Sequence, residues 1–236
     1  MAMDALGRLR ETPERAAVLL DVDGTLAPIV ERPEDAAVPE ETRAVLRDLV
    51  QRYALVGAVT GRPGALAREL VGVAGIAIAG SHGLELAADA EEWRARLQAF
   101  RRTVDWPVED KGLALSYHYR THGEPERART ELERVAERAR SAGLRARFGR
   151  MVLELLPPID ANKGTAVRAL LDDAGLNRAL FAGDDTTDLD AFSAVEDLEV
   201  GVKVAVDSNE APPALLERAD LVVHGPAGVV ELLRTL

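Results

Sequence analysis

Two aspartates, Asp21 and Asp23, stand two residues apart directly after the apolar segment 18–20, and a Gly-Thr pair follows them. The segment has the length and the Val and Leu content of a buried strand. Such a strand places both carboxylates at its carboxyl end, the edge of an α/β sheet where ligands bind. A surface turn is the alternative interpretation, since Asp and Gly are common turn residues. A calcium loop is excluded because Leu, Ala and Pro at 26–28 replace the further oxygen ligands that it requires.

Three further polar groups lie at or just past the end of a predicted strand, or near a helix start: Thr60, Lys163 and the acidic cluster Asp184, Asp185 and Asp188. Each has a simpler explanation by itself. Thr60 could end a strand, the aspartates could cap a helix and suit its dipole, and Lys163 could be a surface charge. The coincidence of all these groups with the Asp21 pair at one sheet edge favours a shared site.

The chemistry of such a site follows from its charges. Clustered carboxylates repel one another and favour a hard cation with oxygen ligands, and Mg²⁺ suits a site that is open to phosphate. Phosphoryl transfer needs an in-line nucleophile, charge neutralisation and a proton donor for the leaving oxygen. One aspartate can attack phosphorus, and a second one two residues later can move the proton. Thr60 and backbone amides would hold the transferring oxygens, and Lys163 would balance their charge.

Composition limits the classes of function. The net charge of −11 argues against nucleic acid or an anionic membrane as the main partner. The chain has no cysteine, which excludes disulfides, thiolate chemistry and Cys-based zinc sites. Residues 1–15 are polar and unlike a signal peptide, and no segment approaches the roughly 20 apolar residues that span a bilayer. We therefore expect a cytoplasmic protein.

The order of predicted elements indicates an α/β fold with a Rossmann-like parallel-sheet core. Strands and helices alternate through residues 1–86 and again through 157–236, which implies parallel strands joined by right-handed crossovers. Between these parts, residues 87–156 are predicted as helix, strand, helix and two strands, the pattern of an inserted α+β domain. Residues 3–15 are predicted to form a short polar helix, and 198–203 a strand.

Four motifs in chain order resemble those of the haloacid dehalogenase superfamily: Asp21-Val-Asp-Gly-Thr25, Thr60-Gly-Arg62, Lys163, and Gly183-Asp-Asp-x-x-Asp188. The Asp-x-Asp form resembles the phosphatases of that superfamily, because its ATPases carry Thr in place of the second Asp. The insert follows the third predicted strand and resembles the larger type of cap domain. The resemblance covers most of the chain.

Other segments resemble the trehalose-6-phosphate phosphatase family more narrowly: Gly80-Ser-His-Gly-Leu-Glu85, Lys111 to Arg120, Glu154, and Asn162-Lys-Gly164. The resemblance implies hydrolysis of trehalose 6-phosphate to trehalose and phosphate with Mg²⁺. It also implies a trehalose-phosphate synthase as a candidate partner. Leu189 departs from the family pattern, which usually has Glu there, at a position that is neither metal ligand nor nucleophile.

Carried over position by position, the resemblance implies roles for individual residues. Asp21 would be nucleophile and metal ligand, and Asp23 would be general acid and base with its backbone carbonyl on the metal. Asp184 would be a further metal ligand, and Asp188 would reach the metal through water or hydrogen bonds. Thr60 and Lys163 would bind the phosphoryl group. The implied substrate-binding residues are Thr25, Arg62, His82, Glu85, Lys111, His118, Arg120 and Glu154.

Two alternatives remain open. A phosphatase acting on another sugar phosphate, such as sucrose 6-phosphate or a glycosyl-glycerate phosphate, would keep the mechanism, although the segments 80–85 and 111–120 argue against it. A non-catalytic sugar-phosphate sensor would be expected to lose Asp21 or Asp23, and both are present.

Overall fold

The computed structural model describes residues 2–120, 122–208 and 211–236. The chain forms two compact units. The first comprises the residues up to Gly83 together with Ala161–Leu236, and the second is Leu84–Asp160. The boundaries of the second unit lie a few residues outside the predicted insert, 87–156.

The first unit is built on a six-stranded sheet in which all the neighbouring strands run parallel. Its strand order is β10-β9-β8-β1-β2-β3. The strands are β1 (Ala17–Leu20), β2 (Leu55–Val59), β3 (Ala77–Ala79), β8 (Arg178–Gly183), β9 (Val200–Asp207) and β10 (Leu221–His224). This sheet, with a smaller antiparallel one in the second unit, confirms the predicted fold class. The predicted strand 198–203 begins and ends later, as β9.

Helices cover both faces of this sheet: α1 (Ala2–Glu11), α2 (Glu40–Arg52), α3 (Gly64–Val71), α6 (Lys163–Ala174), α7 (Asp188–Glu196), α8 (Pro213–Arg218) and α9 (Gly225–Leu233). Short 3₁₀ turns occupy Pro13–Arg15 and Pro33–Asp35. The predicted polar helix 3–15 ends earlier, as α1, and it is amphipathic. Its Leu6 and Leu9 are buried in the main core, because hydrophobic burial outweighs the polar composition of the segment.

Strand β1 lies in the middle of the sheet and is buried on both faces. Val18 and Leu20 pack into the core that α1, α2 and α9 share. Ala17 and Leu19 pack into a second core, formed with α6 and α7. A strand enclosed on both sides needs apolar residues at successive positions, which explains the continuous apolar run before Asp21.

The second unit has helices α4 (Ala90–Arg101) and α5 (Pro125–Ser141), and a four-stranded antiparallel sheet of order β4-β5-β7-β6. The strands are β4 (Glu109–Asp110), β5 (Leu115–His118), β6 (Arg145–Gly149) and β7 (Val152–Leu156). Residues Leu115, Tyr117, Leu153 and Leu155 fill a core with the helices. Because side chains alternate along a strand, residues 116, 118, 152 and 154 project from the opposite face.

In the described part of the chain, no helix combines the length and the apolar character needed to cross a bilayer.

Candidate active site

The strand order of the main sheet reverses at β1. The chain runs from β1 through β2 to β3 on one side, and β8, β9 and β10 lie on the other. The loops that follow β1 and β8 therefore leave the sheet in opposite directions, which opens a crevice at the carboxyl ends of these strands. Asp21 follows β1 and donates its backbone N–H to Ala182 O of β8 at 2.8 Å, and Asp184 directly follows β8. The topology thus brings the two acidic segments together.

Lys163 joins two of the aspartates in a buried ion-pair network. Its Nζ lies 2.6 Å from Asp21 Oδ1 and 2.7 Å from Asp188 Oδ1. The second oxygen of Asp188 accepts the backbone N–H groups of Asp184 and Asp185 at 3.0 and 2.9 Å. Asp188 is fully buried and Lys163 is only 3% exposed. With both of its oxygens engaged, Asp188 orients the lysine and the loop after β8.

The local sequence explains how Lys163 reaches this position. Asn162 caps helix α6, since its side chain accepts the Thr165 N–H and the Thr165 hydroxyl accepts the Asn162 N–H. Gly164 lets α6 approach α7, because a Cβ there would lie 2.4 Å from the backbone oxygen of Asp190. The lysine is therefore placed by a fixed helix start and a close helix contact.

Three carboxylates are suited to hold a cation. Asp21, Asp184 and Asp188 each offer an oxygen, and these oxygens all lie within 4.8 Å of one another. Gly24 makes room for this arrangement, because a Cβ on it would lie 2.0 Å from Asp184 Oδ2, and its φ of +77° is also unfavourable for other residues. Buried carboxylate oxygens so close together fit a hard divalent cation such as Mg²⁺.

The pKa values in this cluster reflect its charge imbalance. Burial, together with the nearby Asp188 and Asp184, raises the pKa of Asp21 well above its ordinary value, although Lys163 opposes this effect. Burial and the neighbouring Asp188 raise the pKa of Asp184 to about 6. Burial disfavours the charged form of Lys163, but its pairs with Asp21 and Asp188 outweigh this and raise its pKa. The cluster therefore lacks positive charge, which a divalent cation would supply.

Thr60 follows β2 at the same sheet edge and is almost completely buried. Its Oγ1 accepts the backbone N–H of Arg62 at 3.2 Å, which leaves the hydroxyl proton available to an oxygen of a ligand. Its backbone oxygen accepts the N–H of His82, and Arg62 O accepts the N–H of Ser81. Ser81 and His82 have φ values of 52° and 54°, a strained conformation that these hydrogen bonds hold in place.

A cavity of about 430 Å³ opens onto these groups within the first unit. The predicted site residues that line it are Asp21, Asp23, Thr60, His82, Lys163 and Asp184. Ile29, Gly61, Asp185 and Thr187 also line it. The structure therefore brings together most of the groups predicted for the catalytic site.

Asp23 and Arg62 are close neighbours of this cluster but pair with each other. Arg62 Nε lies 2.7 Å from Asp23 Oδ2, and Arg62 Nη2 lies 2.7 Å from Asp23 Oδ1. The Asp23 carboxylate therefore stands apart from the group formed by the other three aspartates. Arg62, predicted to bind substrate, has its guanidinium group on a protein carboxylate.

Two further predicted substrate residues lie outside the cavity lining described above. Thr25 is completely buried, and its Oγ1 has no hydrogen-bond partner among the described residues. It lies in the tight turn in which Leu26 and Ala27 donate their N–H groups to Val22 O. Glu85 is half-buried in the 3₁₀ segment Ser81–Leu86, beyond the unit boundary.

The remaining predicted substrate residues lie in the second unit, on or beside the sheet face opposite its core. Strand pairing sets Glu109, Ser116, Glu154 and Arg147 in one row across the four strands. Arg147 pairs with Glu154 at 2.7 Å, while Lys111 and His118 pair with Glu109 at 3.4 and 2.9 Å. Arg120 is exposed just past the end of β5. The face is thus polar and rich in hydrogen-bonding groups.

Glu109 and Arg147 were not among the residues that the sequence singled out. Glu109 lies on β4, which has only two residues and therefore gives no alternating pattern. Arg147 alternates with half-buried residues on β6, so its strand periodicity was a usable signal.

Comparison with known proteins identifies the family. The family model described as trehalose-phosphatase matches residues 19–216. A Mycobacterium ulcerans protein described as trehalose-phosphate phosphatase is 34% identical over 262 residues, covering 98% of this chain and 64% of that protein. A Mycobacterium tuberculosis protein described as an uncharacterized glycosyl hydrolase is 36% identical over 217 residues, covering 82% of this chain. The chain spans 16% of the length of that second relative.

A solved structure has the same fold. A trehalose-6-phosphate phosphatase related protein aligns with a TM-score of 0.69 and 25% identity, covering 93% of this chain and 96% of that chain. These matches confirm the resemblance that the four motifs and the insert indicated. The chain belongs to the trehalose-phosphatase family, within the haloacid dehalogenase superfamily.

Proposed function

We propose that the protein is a Mg²⁺-dependent phosphatase that hydrolyses trehalose 6-phosphate to trehalose and phosphate through an aspartyl-phosphate intermediate. The observation that carries the proposal is the buried network in which Lys163 pairs with Asp21 and Asp188 beside Asp184, at the switch point of a parallel sheet. Family membership supports the substrate and the reaction.

The carboxylates of Asp21 and Asp184 would hold the cation. Asp188, whose oxygens already accept from Lys163 and from two backbone N–H groups, would act on the cation site through hydrogen bonds. When bound, Mg²⁺ supplies positive charge that offsets the repulsion between the phosphoryl oxygens and these carboxylates. Their close oxygens and raised pKa values are the features that support this assignment.

The residues of the chain divide the reaction into two displacements at phosphorus. In the first, the Asp21 carboxylate attacks phosphorus, the bond from phosphorus to the sugar oxygen breaks, and the Asp23 carboxyl gives its proton to that oxygen. In the second, Asp23 takes a proton from water as the water oxygen attacks phosphorus. The bond to Asp21 then breaks and phosphate is released. Each half-reaction returns the proton that the other uses.

Lys163 and Thr60 act on charge and orientation during both displacements. Lys163 holds Asp21 through Oδ1, and the attack on phosphorus is assigned to Oδ2. The Thr60 hydroxyl can donate to a phosphoryl oxygen because its own oxygen already accepts a backbone N–H. Both groups are held by buried contacts before substrate arrives, which lowers the reorganisation needed in the transition state.

Selection of the sugar is assigned to the polar sheet face of the insert and to His82. Glu154, Lys111, His118 and Arg120 offer charged donors and acceptors, which suit the many directional hydrogen bonds of sugar hydroxyls. Glu85 is kept as a further candidate for this role. One alternative is a phosphatase of another sugar phosphate, which would use the same catalytic residues. The other is a sensor that binds a sugar phosphate and does not hydrolyse it.

The expectations of a cytoplasmic location and of a synthase partner extend this proposal. Both follow from composition and from family resemblance. Co-purification of the tagged protein with a trehalose-phosphate synthase from the same cells tests the partner. A synthase that elutes separately at micromolar concentrations of both proteins contradicts it.

Phosphate release from a panel of sugar phosphates tests the function. The panel contains trehalose 6-phosphate, sucrose 6-phosphate, glucose 6-phosphate and a glucosyl-glycerate phosphate, each with Mg²⁺ or with a chelator. We expect selective, Mg²⁺-dependent release from trehalose 6-phosphate. Faster release from another member overturns the substrate assignment. Binding without release from any member supports the sensor instead.

A further inference from the structure

The guanidinium group of Arg62 uses all three of its nitrogens on the protein itself. Nε and Nη2 each donate to one oxygen of Asp23 at 2.7 Å, and Nη1 donates to the backbone oxygen of Pro33 at 3.0 Å. The Arg62 side chain is 19% exposed, whereas that of Asp23 is 41% exposed. This parallel pair of hydrogen bonds fixes the plane of the Asp23 carboxylate.

The backbone of Arg62 is held from both sides. Its N–H donates to Thr60 Oγ1, and its oxygen accepts the Ser81 N–H at 2.8 Å. Ser81 and His82 adopt positive φ values, so the segment that holds the Arg62 backbone has an unusual conformation. The side chain therefore projects from a rigid base toward Asp23.

In the described part of the chain, Arg62 is the side chain that pairs with Asp23. Asp21 is oriented by Lys163, and Asp188 by Lys163 and two backbone N–H groups. A carboxylate has about four lone-pair positions, so the two bonds from Arg62 leave each oxygen of Asp23 able to carry or receive a proton. Arg62 can thus hold Asp23 without consuming its capacity for proton transfer.

We propose that Arg62 is a positioning residue for proton transfer, which acts through Asp23 and does not bind the phosphate of the substrate. The inference rests on the proposed function, in which Asp23 protonates the leaving sugar oxygen and activates water. Through Pro33, Arg62 also ties the turn Pro33–Asp35 to the orientation of Asp23. A phosphate ligand at Arg62 would compete with the Asp23 carboxylate, which already takes the Nε and Nη2 donors, and only one further N–H on each terminal nitrogen would remain for it.

The two roles of Arg62 predict different kinetics. If Arg62 positions Asp23, its loss lowers kcat/KM, which reports the steps up to formation of the aspartyl-phosphate, most for a substrate whose leaving oxygen needs a proton. A sugar phosphate has such a leaving group, whereas a nitrophenyl phosphate leaves as a stabilised anion. If Arg62 binds phosphate, its loss raises KM for both substrates by similar factors.

The test compares Arg62→Ala, Arg62→Lys, Asp23→Asn and the double variant Asp23→Asn/Arg62→Ala with the wild type. The substrates are trehalose 6-phosphate and p-nitrophenyl phosphate. We expect Arg62→Ala to lower kcat/KM for the sugar phosphate about 10- to 100-fold, with less than about a tenfold loss for the aryl phosphate. Arg62→Lys should remain impaired because an ammonium cannot hold both oxygens in one plane.

The double variant is decisive because a residue that acts only through Asp23 loses its effect when Asp23 is removed. In the Asp23→Asn background, Arg62→Ala should change kcat/KM by less than about twofold. Independent, multiplicative losses, or a KM increase shared by both substrates, overturn the proposal. Arg32→Ala, at an exposed neighbour in the Pro33 turn, is the matched control and should behave as wild type.

Failure of the proposed function would be seen separately. A wild-type protein that releases no phosphate from any sugar phosphate or aryl phosphate fails the functional proposal before Arg62 is considered. An active wild type whose Arg62 variants lose kcat/KM equally for both substrates fails only the positioning role. Thermal melts of every variant identify any loss that comes from unfolding.

Discussion

The two units of the molecule hold their charged side chains in contrasting ways. At the carboxyl edge of the main sheet, Lys163, Asp21 and Asp188 are nearly or fully buried and share short ion pairs. On the insert's polar sheet face, the ion pairs of Glu109 and Glu154 include side chains that are 51% and 72% exposed. Charges of the first kind are costly to leave unpaired, whereas water replaces a lost partner of the second kind.

This contrast suggests a division of labour. A buried, mutually paired cluster has one stable arrangement and suits a reaction that needs fixed geometry. A solvated row of charges tolerates substitution, because its side chains can be changed without unfolding the domain. Such a row suits recognition of a sugar. Substitutions in the two regions should therefore have different effects, and the largest is expected at the carboxyl edge of the main sheet.

Removing Asp21, the proposed nucleophile, should have the largest effect on activity. Asp21→Asn cannot form the covalent intermediate, so we expect kcat to fall by at least about 10⁴-fold while the protein remains folded. Phosphate release and circular dichroism measure the two properties. Asp48→Asn, at an exposed acid on α2, is the control. Near-normal kcat in Asp21→Asn would show that the reaction does not pass through Asp21.

Removing the buried ammonium group of Lys163 should have the largest effect on stability. Lys163→Met leaves Asp21 and Asp188 buried without their counter-charge, and we expect a loss of about 3–5 kcal/mol in the free energy of unfolding. Lys111→Met is the matched control, because Lys111 is 35% exposed and pairs at 3.4 Å with the half-exposed Glu109 of the insert. The control should lose about 1 kcal/mol or less. Equal losses in urea denaturation would contradict the contrast between buried and solvated charges.

The pH dependence of stability should reveal the cost of burying the charged Asp184 carboxylate. Its pKa is raised from 3.8 to about 6 in the folded protein, so the folded state holds the proton more tightly than the unfolded chain does. Without metal, this group therefore lowers stability as pH rises from about 4 to 6. Asp184→Asn should be about 1–2 kcal/mol more stable than wild type at pH 7 with a chelator, and no more stable below pH 4.

Adding Mg²⁺ at pH 7 should make the wild type more stable than Asp184→Asn. The wild type should gain thermal stability from millimolar Mg²⁺ at pH 7, since a ligand that binds only the folded state stabilises it. Asp184→Asn should gain much less. A melting temperature that does not respond to Mg²⁺ in the wild type would argue against the carboxylate cluster as a cation site.

Changing the insert should affect substrate preference more than chemistry. Glu154→Ala should raise KM for trehalose 6-phosphate about tenfold and leave kinetics with p-nitrophenyl phosphate nearly unchanged, because the aryl group lacks sugar hydroxyls. Glu133→Ala, which removes an exposed ion pair on α5, is the control. Equal changes for both substrates would show that Glu154 does not contact the sugar.

The same contrast explains what the sequence could predict. Asp21, Thr60 and Asp184 follow apolar strands directly, and parallel topology brings strand ends together, so their proximity could be inferred from order alone. Lys163 could be placed because it begins a capped helix. The pairing of Arg62 with Asp23 could not be predicted from the sequence. It joins side chains 39 residues apart, and their rotamers depend on how the loops pack.

Other elements were missed for local reasons. Strand β4 has two residues and α8 has six, which is too short for either periodicity to emerge. In α1, two buried leucines are set among charged residues, so composition suggested a polar helix. In the insert, alternation along β5 and β7 determines which residues share a face, but the partners across that face depend on strand register.

Trapping of a phosphorylated Asp21 tests the central claim most directly. Asp23→Asn should form the aspartyl-phosphate from p-nitrophenyl phosphate and Mg²⁺ but hydrolyse it slowly, because water activation needs the Asp23 carboxylate. After a rapid acid quench, mass spectrometry should find one added phosphoryl group on the peptide containing Asp21. It should be absent when Asp21 is also changed to Asn. Phosphate release by the wild type, with this peptide never modified or the label on another residue, would contradict the account.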